Sequence, residues 1–456
     1  MRIWFALILL VPAVAGSQAP SYARERARMD SLISAEVNGT PIAGLAVAVV
    51  KGRDTILSRG WGFADVENEV PVTTASVFRI GSITKQFTSS AIMQLVEKGR
   101  LSLDDTLGAL LPNMPVTWRK VTLRQLLNHT SGIPNYTDIG PRWMRRWRDD
   151  MTPDSIVGFV TGDTLNFAPG SKWRYTNTGY VLLGMILDKT TGQSYPRYLG
   201  EQLFKPVGLS STMYCDTRPI IKHRALGYQL ANKQLANAEY LSMTQPYSAG
   251  ALCSTVGDLV KWTRALHSGG VVSPASFKQM TTPIGAAAGS HYGFGLGMDS
   301  LGNHRRVGHG GGIHGFVSML AHYPDDSLTV VVLANSAPAP VDVIAGNLAR
   351  VMFGMPLEGG PLPRVTLSAG QLALYVGDYT LSLPDGTKLP VHITATGDKL
   401  YSRAEGQSAF ELIPYGNNVF GAEFDRTLRV TFAVTNGRAS KLILHQGGQD
   451  IEGPRQ

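Results

Sequence analysis

The placement of the strand-like segments constrains the fold more than any other feature of the chain. Ile42–Val50 is a nearly unbroken apolar run ended by the turn Lys51-Gly52-Arg53-Asp54, and Thr55–Trp61 follows as its hairpin partner. A second strand pair, Val317–Tyr323 and Leu328–Leu333, flanks Pro324-Asp325-Asp326 much later in the chain. Between the pairs the pattern is mostly helical: Ile83–Lys98, Leu123–Leu127, Tyr180–Lys189, Tyr195–Leu203 and Val256–Leu266. One more helix is expected over 24–37 and another over Val341–Phe353. Strands at both ends with helices between them predict one sheet whose halves meet around an inserted helical region.

The texture then changes. Leu357–Arg364 is rich in Pro and Gly and reads as a linker, set at 356–367. Short alternating runs follow (Lys388–Thr394, Ala409–Pro414, Leu428–Val434, Lys441–His445), separated by turns such as Asp385-Gly386 and Asn436-Gly437. They predict an all-β module over 368–456. At the other end, Arg2 precedes an apolar run from Ile3 to Val11, and Ala13-Val14-Ala15 offers small residues for cleavage. That is the form of a secretory signal peptide over 1–15, because the run is too short to span a bilayer. The expected product is exported, periplasmic or secreted, with no integral membrane segment after cleavage, and its main unit covers 16–355. In an oxidising compartment Cys215 and Cys253 are a candidate disulfide, with two buried free thiols as the alternative. The surplus of 42 Lys+Arg over 34 Asp+Glu is dilute over 456 residues and gives no reason to expect a nucleic-acid partner.

Three constellations carry chemistry. Gly81-Ser82-Ile83-Thr84-Lys85 opens a helix, and the three-residue spacing puts Ser82 and Lys85 on one face. A serine hydroxyl needs a neighbouring base, and a lysine serves only where its surroundings favour the neutral amine. Tyr175-Thr176-Asn177 offers a phenol to relay a proton and an amide to hold a carbonyl. His309-Gly310-Gly311-Gly312-Ile313-His314-Gly315 leads into a strand, and its glycines allow a substrate to lie against backbone N–H groups. Each pattern is weak alone: Tyr-x-Asn recurs at Tyr415-Gly416-Asn417, and His-x-Gly at His267, His291 and His445.

Their order, with Phe78-Arg79-Ile80-Gly81, Leu126-Leu127-Asn128-His129-Thr130-Ser131-Gly132 and Leu252-Cys253-Ser254-Thr255-Val256-Gly257-Asp258-Leu259, resembles the serine β-lactamase-related family. That family includes class C β-lactamases, D-alanyl-D-alanine carboxypeptidases, D-aminopeptidases and family VIII-type esterases. The resemblance covers roughly residues 25–355, and the ending Asn436-Gly437-Arg438 to Leu444-His445-Gln446-Gly447-Gly448 is similar to β modules appended to such hydrolases. It implies an α/β (α+β) fold, with an antiparallel sheet flanked by helices, a mainly helical subdomain and a small barrel-like all-β domain. It also implies Ser82 as the acylated nucleophile, Lys85 and Tyr175 as base and proton relay, and Asn177 as the residue orienting the substrate amide. His309 would fill the cationic corner opposite the nucleophile, and backbone N–H groups of Ser82 and Gly312, beside Gly311, would form the oxyanion hole. The third motif is His-Gly-Gly where β-lactamases typically carry Lys-Thr-Gly. This departure predicts hydrolysis of an ester or amide with no obligatory free carboxylate.

Other signals carry less. His309 and His314 have no local carboxylate or thiolate, so no metal and no cofactor is expected. Gly293-Phe294-Gly295-Leu296-Gly297 lacks the strand–turn–helix context of a nucleotide loop. The Arg142–Arg148 segment is read as a solvated, Trp-anchored helix, with contact to anionic envelope polymer as its functional alternative. His129 is read as a structural residue of its turn. The expected partner is a small-molecule or peptide substrate, with peptidoglycan as one source. The competing function is a non-catalytic envelope protein that holds peptidoglycan peptides or a partner. Oligomeric state is left open.

Overall fold

A computed structural model describes residues 22–232, 234–358, 364–383, 388–416, 418–422, 428–435, 437–446 and 449–456. The expected signal peptide, the turn Asp385-Gly386 and much of the linker lie outside the described residues. Contacts divide the chain into two units, the first running to Ala339 and the second from Pro340 to Gln456.

The first unit is built on a seven-stranded antiparallel sheet. After helix α1 (Ala23–Gly39) come β1 (Gly44–Lys51), β2 (Asp54–Asp65) and the short β3 (Val70–Pro71). Helices α2 (Thr84–Glu97), α3 (Asn177–Thr191) and α4 (Val256–His267) belong to the middle of the chain. The sheet is completed by β4 (Gly297–Leu301), β5 (His304–Ile313), β6 (Phe316–Tyr323) and β7 (Leu328–Ala334). Strand order is β3-β2-β1-β7-β6-β5-β4, so the two expected strand pairs join where β1 meets β7, from Leu45↔Ala334 to Lys51↔Leu328. Both of these central strands are buried along almost their whole length, which explains why each reads as an apolar run without alternation. Helix α4 covers β1 and β7, and α1 lies on β2, where Asp30 pairs with Arg59 at 3.2 Å.

Helix α2 is enclosed nearly all round, with Thr84 to Met93 buried, as expected of a helix without a polar stripe. Its Phe87 stacks on Trp262 of α4 with ring centres 3.9 Å apart. A small ribbon positions the start of this helix. Phe78–Arg79 pairs with Leu252–Ser254, which pairs in turn with Met213–Tyr214. The Cys215–Cys253 disulfide crosses the ribbon, with Cα atoms 5.1 Å apart. The candidate bridge is thus formed in the structure.

The second unit opens with α5 (Val341–Phe353) and continues into eight antiparallel strands in sequential order, from Gly377–Ser382 to Gln449–Pro454. A bridge between Tyr379 and Arg455 brings the first and last strands together, so the barrel is nearly closed. Tyr379, Leu400, Leu412, Phe420 and Phe432 fill its interior. The sequence reading ends the main unit at residue 355, and the division by contacts falls at Ala339, which groups α5 with the second unit. Asn347 on α5 exchanges two hydrogen bonds with the Glu358 backbone, 2.6 and 2.7 Å, tying the helix to the segment after it.

Candidate active site

Ser82 sits in a single 3₁₀ turn, Gly81–Ile83, immediately before α2. The approach to this turn is set by backbone. Ile80 N–H donates to Leu252 C=O at 3.0 Å, and Ser318 Oγ on β6 donates to Ile80 C=O at the same distance. Glycine is required at two points here. Gly81 has φ +49 and an added Cβ would lie 2.8 Å from Gly312 N; at Gly311 it would lie 2.1 Å from Ile80 O. The serine turn and the glycine strand therefore touch through backbone atoms, as a pair of oxyanion donors would need.

Lys85 lies one turn along and is fully buried. Its Nζ is 3.0 Å from Ser82 Oγ, 2.8 Å from Asn177 Oδ1 and 2.8 Å from Ala249 O. Burial holds the lysine pKa well below its usual value. A neutral amine has two N–H donors and one lone pair. Asn177 Oδ1 and Ala249 O can only accept, so they take both hydrogens and leave the lone pair facing Ser82. The Tyr175 hydroxyl donates to Ser82 Oγ at 2.8 Å, and burial raises the phenol's pKa, so it stays protonated. Ser82 Oγ is thus flanked by a base on one side and an acid on the other.

Asn177 begins α3. Its side-chain carbonyl is occupied by Lys85, and its Nδ2 donates to Thr137 Oγ1 at 3.3 Å. Of the two hydrogens on that nitrogen, one is left for a substrate carbonyl.

The cationic reading of His309 is corrected. Its Nδ1–H donates to the Gly310 carbonyl, and its Nε2 accepts from the Tyr292 hydroxyl at 2.8 Å. Those partners fit the neutral ring. Removal from water lowers its pKa to about 4. Residue type alone did not reveal that this corner is uncharged. Tyr292, which fixes the tautomer, was missed because its role comes from a contact between a loop and β5.

His129 was read as structural, and it also supports the site directly. It has φ +62 and is fully buried. Its carbonyl accepts from Arg174 N–H at 3.0 Å and its Nδ1 from Thr176 N–H at 3.2 Å, so it grips the backbone on both sides of Tyr175. Its ring lies 4.3 Å from that of Tyr175 and 4.8 Å from that of Tyr292.

Ser82, Tyr175, Asn177 and His309 all keep part of their surface exposed, and Lys85 forms the floor beneath them. A cavity of about 210 Å³ adjoins this cleft at His309, lined by Tyr292, Gly308, Gly310 and Met319. A larger one of about 610 Å³, bordered by Pro196, Phe204, Leu209 and Tyr214, contains none of the candidate residues. Two of the four arginines in the Arg-rich segment are in ion pairs: Arg142 with Asp163 at 2.8 Å, and Arg146 with Asp149. Its helix is short, Pro141–Met144.

A family model described as Beta-lactamase matches residues 29–351. The chain belongs to this family. Among its relatives, Penicillin-binding protein 4* of Bacillus subtilis (strain 168) is 29% identical over 448 residues, covering 92% of this chain and 95% of that protein. The octameric penicillin-binding protein homologue from Pyrococcus abyssi has a TM-score of 0.68 at 26% identity, covering 94% of this chain and 99% of its own. D-amino acid amidase from Ochrobactrum anthropi SV3, complexed with L-phenylalanine amide, has a TM-score of 0.66 at 25% identity, covering 73% of this chain and 99% of its own. Family membership and these neighbours establish serine-hydrolase-type activity. Among the described residues, no helix is long and apolar enough to cross a membrane.

Proposed function

We propose that the protein is an exported acyl-serine hydrolase that cleaves amides or esters lacking an obligatory free carboxylate, such as D-amino-acid amides. The observation that carries this reading is the Lys85–Ser82–Tyr175 chain, in which a buried lysine amine and a phenol share one serine oxygen. Lys85 takes the Ser82 proton as Oγ attacks the carbonyl carbon. The oxyanion forms against the N–H groups of Ser82 and Gly312. Tyr175 gives its proton to the departing nitrogen or oxygen, and the Lys85 ammonium restores the phenol. Water then releases the acyl group by the same steps in reverse roles.

The substrate preference rests on His309. A neutral ring with both nitrogens occupied offers no charge to a carboxylate, unlike a lysine at that corner. The D-amino acid amidase neighbour supports the same substrate class. The formed disulfide supports export. A protein that only bound peptides would gain nothing from a lysine buried without a carboxylate and aimed at a serine hydroxyl.

Intact mass after treatment with a fluorophosphonate, with Ser82→Ala as control, tests the nucleophile. A Ser82-dependent adduct is expected, and its absence would return the protein to the binding alternative. Turnover of D-phenylalanine amide and nitrophenyl esters should exceed that of nitrocefin. Brisk hydrolysis of nitrocefin alone would overturn the substrate class.

A further inference from the structure

The cleft has two walls. One is β5 from His309 to Ile313. The other is the segment Asn135–Trp147, fixed to Asn177 through Asn177 N–H to Asn135 Oδ1 at 3.0 Å and Asn177 Nδ2 to Thr137 Oγ1 at 3.3 Å. Chemistry gives the cleft a direction, provided that the acyl-serine reading holds. The leaving group must reach the Tyr175 hydroxyl, whose ring lies 6.2 Å from His309, so it departs toward the His309 end. The acyl part then runs the opposite way, from Gly312 toward His314.

At that end the walls meet. The Trp147 indole stands edge-on to His314, with ring centres 4.3 Å apart and planes at 84°. Both residues are held from behind. Trp147 packs against Trp143 at 5.6 Å, and its carbonyl accepts from Ser242 N–H at 2.8 Å. Trp143 Nε1–H donates to Gln245 Oε1 at 2.7 Å. His314 Nδ1–H donates to Glu239 C=O at 3.1 Å. The contact is therefore a built feature of the cleft. His314 is two residues beyond Gly312, in the turn that ends β5, so the two lie at most about 7 Å apart along the chain.

We infer that the Trp147–His314 contact closes the acyl end of the cleft, so the enzyme accepts a short acyl unit, about the length of one amino-acid residue, bounded by aromatic surface. A long peptide or polymer on the acyl side does not fit, and cleavage falls next to a chain end. This inference deepens the proposed activity and names its substrate class: terminal aminoacyl or short acyl groups on an amide or ester.

The experiment varies acyl length with a constant leaving group, using nitrophenyl acetate, butyrate, octanoate and dodecanoate on the purified chain. kcat/KM is expected to fall by about tenfold or more between butyrate and dodecanoate, the scale on which a shaped pocket discriminates chain length. Trp147→Ala and His314→Ala open the same end from opposite walls, so each should raise the dodecanoate-to-butyrate ratio by about the same factor. Trp147→Phe, which keeps a ring, should leave that ratio near its original value. A wild-type profile that is flat with length, or a ratio that neither alanine variant moves, overturns the inference. Fluorophosphonate labelling of wild-type Ser82 separates the two levels: labelling with a flat profile removes only the closed acyl end, whereas no labelling removes the acyl-serine reading beneath it.

Discussion

The two units differ in where their ionisable groups find partners: the barrel's pairs lie at the surface, while the first unit, beside surface pairs such as Arg142–Asp163, also buries Lys85 and His129. In the barrel, Lys441 pairs with Glu452 at 2.7 Å, Lys399 with Glu411 at 2.9 Å, His392 with Asp378 at 2.7 Å and His445 with Asp450 at 2.6 Å, all at the surface. Such pairs keep their water and contribute little to stability, about 0–1 kcal/mol each. In the first unit, Lys85, His129 and His309 are withdrawn from water, and their hydrogen bonds run to hydroxyls, an amide and the backbone. Burial without a carboxylate selects the neutral form. The barrel's pairs stay in water, while these three groups of the first unit are withdrawn from it so that protons can move.

The contrast breaks most readily at Lys85. Lys85→Met removes the base, and fluorophosphonate labelling of Ser82 should slow by about 10³-fold. Lys85→Arg should fail nearly as badly, because a guanidinium cannot shed its proton in a protein. An arginine variant with near-normal labelling would show that a neutral amine is not needed.

Tyr175→Phe should have the next largest effect, and an asymmetric one. Loss of the phenol should lower kcat for a D-amino-acid amide by about 10²-fold, the usual weight of a positioned general acid. A nitrophenyl ester should suffer much less, because nitrophenolate leaves without a proton. Equal losses on both substrates would remove Tyr175 from leaving-group protonation.

The smallest effect concerns stability. His309 and His322 are held to a pKa of about 4, and His267 to about 3, chiefly by burial. Their unfolded values lie near 6.5, so below that pH the unfolded chain binds more protons than the folded one. The stability these rings supply is complete above pH 6.5 and is lost as pH falls through about 4. Thermal melts across that window should show the first unit losing stability, and His267→Gln should soften the slope. An unchanged slope would mean that these rings are not dry.

Sequence carried the architecture well where a physical period or an apolar run was present. The β1 and β7 segments were readable because both faces are buried, and Leu123–Leu127 begins and ends where its pattern does. Ser82 and Lys85 were readable because a helix fixes their spacing. Protonation state was not, since it depends on depth: His309 looked cationic as a residue type and is neutral in place. Contacts between loops and segments distant in sequence were also silent. Nothing in Tyr292, or in the separation of Trp147 from His314, announces that each pair meets.

The pairing of β1 with β7 also has a consequence for how the protein is made. Leu45 emerges early and its partner Ala334 emerges only when the first unit is almost complete. Until then the hairpin of β1 and β2 presents a long apolar edge with nothing to pair against, the kind of edge that invites aggregation. Contacts so distant in sequence also make folding slow, because the intervening chain must be ordered before they repay its entropy. The central seam of the sheet therefore cannot form until Leu328–Ala334 has been made, and synthesis has to shelter one strand for as long as the helical region takes to follow it.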